Sequence, residues 1–158
     1  MAVELDFRQV SMEHPDAAGM VAAMVAEIDE LYADIGLDLN APNMPKAGVT
    51  EFSPPGGTFV VGYRDGVAVC GGGVKRLPDG ACEIKRMYVV PAARRQGLAR
   101  ALLSALEDAA RALGYSVVRL DSGPRQGHAV DLYTSEGYVP IGNFNDNPVA
   151  TYFGEKTL

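Results

Sequence analysis

Between Met87 and Leu103 the chain reads Met-Tyr-Val-Val-Pro-Ala-Ala-Arg-Arg-Gln-Gly-Leu-Ala-Arg-Ala-Leu-Leu, an order of residue types able to hold an anion. A β-type run ends at Pro91, a short basic turn follows, and Gly97 opens an amphipathic segment. The first N–H groups of a helix have no intrahelical partner and lie at the positive end of its dipole. Gly97 has no Cβ, so a phosphate oxygen can come close to the main chain, while Arg94, Arg95 and Arg100 supply charge. A second glycine run, Gly71-Gly72-Gly73, is followed by no helix. It reads as a bulge or a close backbone approach within a strand, not as a phosphate loop.

The elements that must position this cradle are legible from periodicity and punctuation. Val3 to Val10 alternates as a strand, and Ser11 with His14-Pro15-Asp16 supplies helix-start chemistry. Apolar residues then recur at helical spacing from Ala17 to Ile35 until Gly36 stops them, with Glu27, Asp29, Glu30 and Asp34 largely on the opposite side. Residues 37–57 are irregular and long enough to read as a functional lid or mobile segment. Strands are expected at Thr58–Tyr63, Val67–Lys75 and Ala81–Val90, joined by Arg64-Asp65-Gly66 and by the turn at Pro78-Asp79-Gly80. The clearest helix runs from Gln96 to Leu113, with Gly114 just past its end. Then come a buried strand at Ser116–Leu120, a short helix at His128–Ser135, and a final strand pair near Tyr138–Ile141 and Thr151–Lys156. The alternation is α/β, with a parallel crossover through the long helix. Ligands of such sheets bind at the carboxyl ends of strands, where the cradle sits.

The spacing Arg94-x-x-Gly97-x-Ala99 between strand and helix resembles the acetyl-CoA pyrophosphate loop of the GNAT (GCN5-related) N-acetyltransferase family. Glu83-Ile84-Lys85-Arg86-Met87-Tyr88-Val89 is similar to that family's central strand, and Leu132-Tyr133-Thr134-Ser135-Glu136-Gly137-Tyr138 to its later helix-to-strand motif. The resemblance covers roughly residues 58 to 158. It implies a single-domain GNAT-like α/β fold: a mixed, mostly antiparallel sheet, a central parallel pair splayed around the cofactor, and helices on both faces. Within one domain spanning 1–158, residues 11–57 would form the acceptor side and 58–158 the acetyl-CoA-binding core; the acceptor itself should be shaped by residues 28–57 and by Phe144-Asn145-Asp146-Asn147-Pro148.

Acetyl transfer from a thioester to an amine needs a held cofactor, a neutral amine and a proton for the departing sulfur. The resemblance implies that Arg94, Arg95, Gln96, Gly97, Leu98, Ala99 and Arg100 take the pyrophosphate of acetyl-CoA. It also implies that the free edge at Met87, Tyr88 and Val89 pairs with the pantetheine amides, which suits the hydrogen-bonding capacity of an open strand edge. Glu83 matches a base glutamate of the histone-acetylating branch. Its even offset from Met87 puts both side chains on one sheet face in a regular strand. Tyr133 matches the family's general acid, a phenol able to protonate a thiolate. Ala99 stands where many members have glycine, and Gln126 where many have an asparagine that contacts pantetheine.

Composition narrows the rest. At 158 residues the chain fills one domain and is too short for two ordinary ones. A net charge of −6 argues against a nucleic-acid surface, while Lys85, Arg86, Arg94, Arg95, Arg100 and Arg111 form a local basic group suited to a polyanionic cofactor. No apolar run is long enough for a bilayer and no signal-peptide pattern opens the chain, so the expected location is the cytoplasm. Cys82 should face residue 76 across a hairpin, not Cys70, so two reduced thiols are expected. No metal is called for. The expected activity is direct acetyl transfer from acetyl-CoA to a small amine, the acidic helix side hinting at a cationic one; similar proteins are commonly homodimers. The alternatives are a non-catalytic acyl-CoA-binding or regulatory domain, and an acetyltransferase of protein lysines or N-termini.

Overall fold

A computed structural model describes residues 4–158, so Val3, expected to begin the first strand, lies outside the described residues. In chain order the elements are β1 (Asp6–Val10), α1 (Pro15–Leu31), β2 (Thr58–Arg64), β3 (Val67–Arg76), β4 (Cys82–Val89), α2 (Leu98–Ala112), β5 (Val117–Ser122), α3 (Gly127–Ser135), β6 (Val139–Pro140) and β7 (Tyr152–Thr157). Short 3₁₀ turns occupy Ala33–Ile35 and Pro91–Ala93. The helix boundaries have local causes. His14 Nδ1 accepts the Asp16 N–H at 3.1 Å ahead of Pro15, which starts α1 where the sequence places it.

Two helices are shorter than their periodicity. α1 stops at Leu31 and not Ile35, because Tyr32 leaves helical geometry (φ −114°, ψ 23°) and turns inward to 1% exposure. α2 starts at Leu98 and not Gln96, because Gly97 is left-handed at φ 79°.

The strands form one sheet in the order β1-β2-β3-β4-β5-β7-β6, with every neighbouring pair antiparallel except β4 and β5. That parallel pair holds only at Cys82↔Val118 and Glu83↔Arg119. Beyond those residues the two strands part. α2 and α3 pack on one face through a core that includes Leu98, Leu102, Leu106, Val118, Leu120 and Tyr133. On the other face α1 and the irregular stretch after it contribute Ala17, Met20, Met24 and Phe52. Arg76 faces Cys82 across the β3–β4 hairpin, and both cysteines are buried free thiols.

The glycine run in β3 makes room for neighbours on both faces. A Cβ on Gly72 would lie 2.9 Å from Leu106 of α2, and one on Gly73 would lie 2.5 Å from the Phe52 ring. Phe52 is fully buried and cannot swing away, so Gly73→Ala should destabilise the protein by about 1–3 kcal/mol. Urea unfolding at constant m-value measures this directly.

The β4 backbone departs from a regular strand. Arg86 has φ 61°, and pairing passes from Gly73↔Lys85 to Gly71↔Tyr88, so β4 carries one more residue than β3 between those points. This bulge overturns the even-offset expectation. Met87 turns toward Leu106 on the α2 face, whereas Glu83 and Lys85 stay on the opposite face and Tyr88 packs on Met20 and Met24.

Away from the cleft, α2 carries a buried charge. Glu107, 5% exposed, accepts from the Tyr138 hydroxyl at 2.7 Å and from Lys156 Nζ at 3.1 Å. Burial and the adjacent Glu107 carboxylate push the Tyr138 phenol far above its usual range.

Candidate active site

Where β4 and β5 part, a cleft of about 190 Å³ opens through the middle of the sheet. One wall is β4 from Ile84 to Tyr88; the other is Asp121, Ser122 and Gly123 at the end of β5, with Gln126 and Tyr133 behind them. Met24, Ile28 and Tyr32 from the first helical segment roof it, together with Leu37, Leu39, Met44 and Pro45. Past Glu83 the β5-facing side of β4 has no paired strand, which leaves main-chain donors and acceptors for an extended amide chain.

The proposed cradle follows at the end of this edge. Arg95 (φ 64°) and Gly97 (φ 79°) are both left-handed, and no side chain among the described residues caps α2, so its first N–H groups are free to donate. The arginines behave differently from one another. Arg94 forms a two-pronged pair with Glu27 of α1 at 2.8 Å on each prong, donates to the Val89 carbonyl at 2.9 Å, and lies over the Tyr88 ring. Arg100 pairs with Glu136 and donates to Ser135. Gln96 accepts from Arg64. Arg95 has no side-chain partner among the described residues and is the free cation of the loop. Arg111 is not part of this group: it bonds Asp108 at the far end of α2, about 20 Å away.

The expected acid and base are placed unequally. Tyr133 lines the cleft, buried against Tyr138 and Tyr152 at ring separations of 5.9 and 6.3 Å. Burial, then the nearby Asp121 charge, push its phenol well above its ordinary value, so it carries its proton at neutral pH. Glu83 is fully buried and does not line the cleft. Its Oε2 accepts from Asn145 Nδ2 at 2.8 Å and Lys85 Nζ at 3.1 Å, while Oε1 has no partner among the described residues. Burial raises its pKa, opposed by Lys85 and reinforced by Asp121. Asp121 stands between Glu83 and the cleft, taking bonds from Asn145 at 2.8 Å, Asn147 at 2.9 Å and Lys85 at 3.4 Å.

Sequence reasoning reaches these residues unevenly. Asn145 and Asn147 belong to the segment 144–148 expected to shape the acceptor site, but spacing does not place their contacts, and Asp121 carries no motif of its own. Tyr32 reads as one more apolar position of α1, yet its hydroxyl lies 3.4 Å from Gln126 Oε1 and accepts the Arg125 N–H at 3.2 Å. Gln126 Oε1 also accepts from Gly123 N at 3.3 Å, so its amide N–H₂ is the end left for a ligand. Of the four acidic residues Glu27, Asp29, Glu30 and Asp34, two are engaged: Glu27 of α1 by Arg94, and Asp34, in the turn after α1, by Arg125, which also donates to the Leu31 carbonyl at 2.9 Å.

A central strand edge left open, with an uncapped helix start at its end, is a layout that an acyl-CoA-dependent acyltransferase can use. The chain belongs to the GNAT family of acetyltransferases, whose model matches residues 24–138. It is 33% identical over 140 residues to IAA acetyltransferase of Azospirillum brasilense, covering 86% of this chain and 91% of that one. It is 29% identical over 137 residues to an uncharacterised N-acetyltransferase of Escherichia coli, covering 85% and 81%. Among solved structures, a chain from Klebsiella pneumoniae described as an acyl-CoA N-acyltransferase superposes with a TM-score of 0.79 at 27% identity, over 99% of both chains. The PaiA N-acetyltransferase of Thermoplasma acidophilum, solved with coenzyme A, shares the fold at a TM-score of 0.68 and 14% identity, over 98% of this chain and 99% of that one.

Proposed function

We propose that this chain is an acetyl-CoA-dependent N-acetyltransferase that moves the acetyl group directly onto the primary amine of a small molecule. The observation that carries the reading is the parting of β4 and β5 around a cleft with Tyr133 in its wall and the Arg95–Gly97 cradle at its end. The main chain of Met87, Tyr88 and Val89 would hold the pantetheine arm, with Gln126 donating from across the gap. The N–H groups of Gly97, Leu98, Ala99 and Arg100, with the Arg95 side chain, would hold the pyrophosphate. Arg94 and Gln96 would shape that loop through Glu27 and Arg64.

Acetyl-CoA supplies the activated acyl carbon. Tyr133 holds a proton for the leaving sulfur. The proton lost by the attacking amine passes toward the carboxylates of Asp121 and Glu83, which share Lys85 and Asn145. Glu83 therefore acts as the buried end of a relay and not by touching the amine. Burial pushes the Cys70 thiol up to about 11 and the Cys82 thiol up to about 12, and neither lines the cleft, which supports direct transfer over an acetyl-cysteine. The roof favours a small acceptor, because two arginine–carboxylate pairs, Arg94–Glu27 and Arg125–Asp34, fasten α1 and the turn after it across the mouth.

Calorimetric titration with acetyl-CoA, followed by a thiol-release assay over small amines and N-terminal peptides, tests the reading. Saturable binding and turnover of a small amine are expected. Binding without turnover would leave a cofactor-binding domain, and turnover of peptides alone would move the acceptor to protein. Glu83→Gln should lower kcat by about a hundredfold. It should also flatten the rise of rate with pH, which in the parent protein lies above the usual carboxylate range because burial raises Glu83. The groups around Glu83 that shape this profile are Lys85, Asp121 and Lys75. An unchanged profile would place the proton's destination elsewhere.

A further inference from the structure

Of the arginines near the cleft, Arg94 is matched by Glu27, Arg100 by Glu136 and Arg125 by Asp34. Arg95 stands exposed and unpaired in the cradle, and Arg86, partly buried, is matched by nothing among the described residues. Its side chain lines the cleft, makes no hydrogen bond or ion pair among the described residues, and keeps Nε buried without a partner. The carboxylate whose charge acts on it, Asp121, is already engaged by Lys85, Asn145 and Asn147. A desolvated guanidinium with an orphaned donor is costly to keep unless something accepts from it. Its backbone is costly as well: Arg86 sits at the β4 bulge in the left-handed region, where a glycine would be free of strain.

The same cleft holds complementary groups. Asp121 presents a carboxylate at its wall, and beside it Ser122 is 5% exposed with a hydroxyl that has no partner among the described residues. Opposite lies an apolar surface of Met24, Ile28, Leu37, Leu39, Met44 and Pro45. We infer that Arg86 receives a carboxylate of the acceptor, so the substrate is an apolar amino acid or a close relative, with its amine toward Asp121 and its side chain under the roof. The inference rests on the acetyl-transfer reading above and specifies its acceptor. The phosphates of the cofactor do not account for Arg86. Three further strand residues at about 3.3 Å each, and then a 3₁₀ turn, separate it from the cradle. The pantetheine arm between them is uncharged.

The test compares leucine with 3-methylbutylamine, which has the same body and amine and lacks the carboxylate. In the parent protein kcat/KM should favour leucine by about tenfold or more, mainly through KM. Arg86→Gly removes the guanidinium and relieves the left-handed backbone, so it should fold; Arg86→Lys keeps the charge and loses the fork. In Arg86→Gly the ratio between the two substrates should fall to about one, with Arg86→Lys between the two. No preference in the parent, or the same preference in Arg86→Gly, would overturn the inference. An equal loss on both substrates would mean that Arg86 serves the thioester or the departing sulfur, and would also overturn it. Calorimetry of N-acetyl-leucine against N-(3-methylbutyl)acetamide, each titrated into the CoA complex, reads the site without turnover. Arg86-dependent binding of N-acetyl-leucine in an inactive protein would uphold the anion site and sink the transfer reading. Turnover without Arg86 dependence would do the reverse.

Discussion

Replacing Tyr133 by phenylalanine should lower kcat by about two to three orders of magnitude and leave acetyl-CoA affinity unchanged. The phenyl ring keeps its contacts with Tyr138 and Tyr152. The hydroxyl has no protein partner among the described residues, so its removal strands no buried donor or acceptor. The loss should therefore fall on proton delivery and not on the fold. Because burial keeps the phenol protonated well above its usual range, the parent rate should show no decline from Tyr133 ionisation up to ordinary alkaline pH. Steady-state turnover together with calorimetric affinity checks both halves. A loss smaller than about tenfold would mean that the sulfur takes its proton from solvent or another group.

Glu107→Ala should cost about 3–5 kcal/mol of folding stability without touching the cleft. Glu107 is nearly inaccessible and joins α2 to β7 through Lys156, and to the chain after α3 through Tyr138. Truncation leaves a half-buried ammonium and a buried phenol facing a void, and domains of this size have about 5–15 kcal/mol in total. Glu107→Gln should cost less, since an amide oxygen still accepts from Tyr138. Urea unfolding of both variants measures the difference, and a loss below about 1 kcal/mol for Glu107→Ala would show that water replaces the carboxylate at Lys156.

The parts of this molecule legible in its sequence are those governed by local rules. The α2 stripe from Leu98 to Ala110, the left-handed Gly97 and Gly114, and the β3–β4 hairpin that sets Cys82 opposite Arg76 are all one-dimensional signals. Tyr133 came from a motif, and the structure places it in the cleft wall. The rest depends on meetings between distant segments. Nothing at Arg86 announces a left-handed bulge, so strand alternation alone sets Glu83 and Met87 on one face where the extra residue puts them on opposite faces. The polar group of Glu83, Lys85, Asp121, Asn145 and Asn147 joins two strands and a loop, and none of its spacings is periodic. The basic residues around the cradle form a charge count in sequence; in space Glu27 and Glu136 neutralise Arg94 and Arg100.

The two-residue register between β4 and β5 has a consequence for solubility as well as for catalysis. An unpaired strand flank at the rim of a sheet invites foreign strands and seeds aggregation. Here the bare flank lies in the centre, walled by β5 on one side and covered by the first helix, so a whole intruding strand cannot reach it while a thin, flexible amide chain can. The protein thus keeps a sticky backbone surface open to visitors only one chain wide.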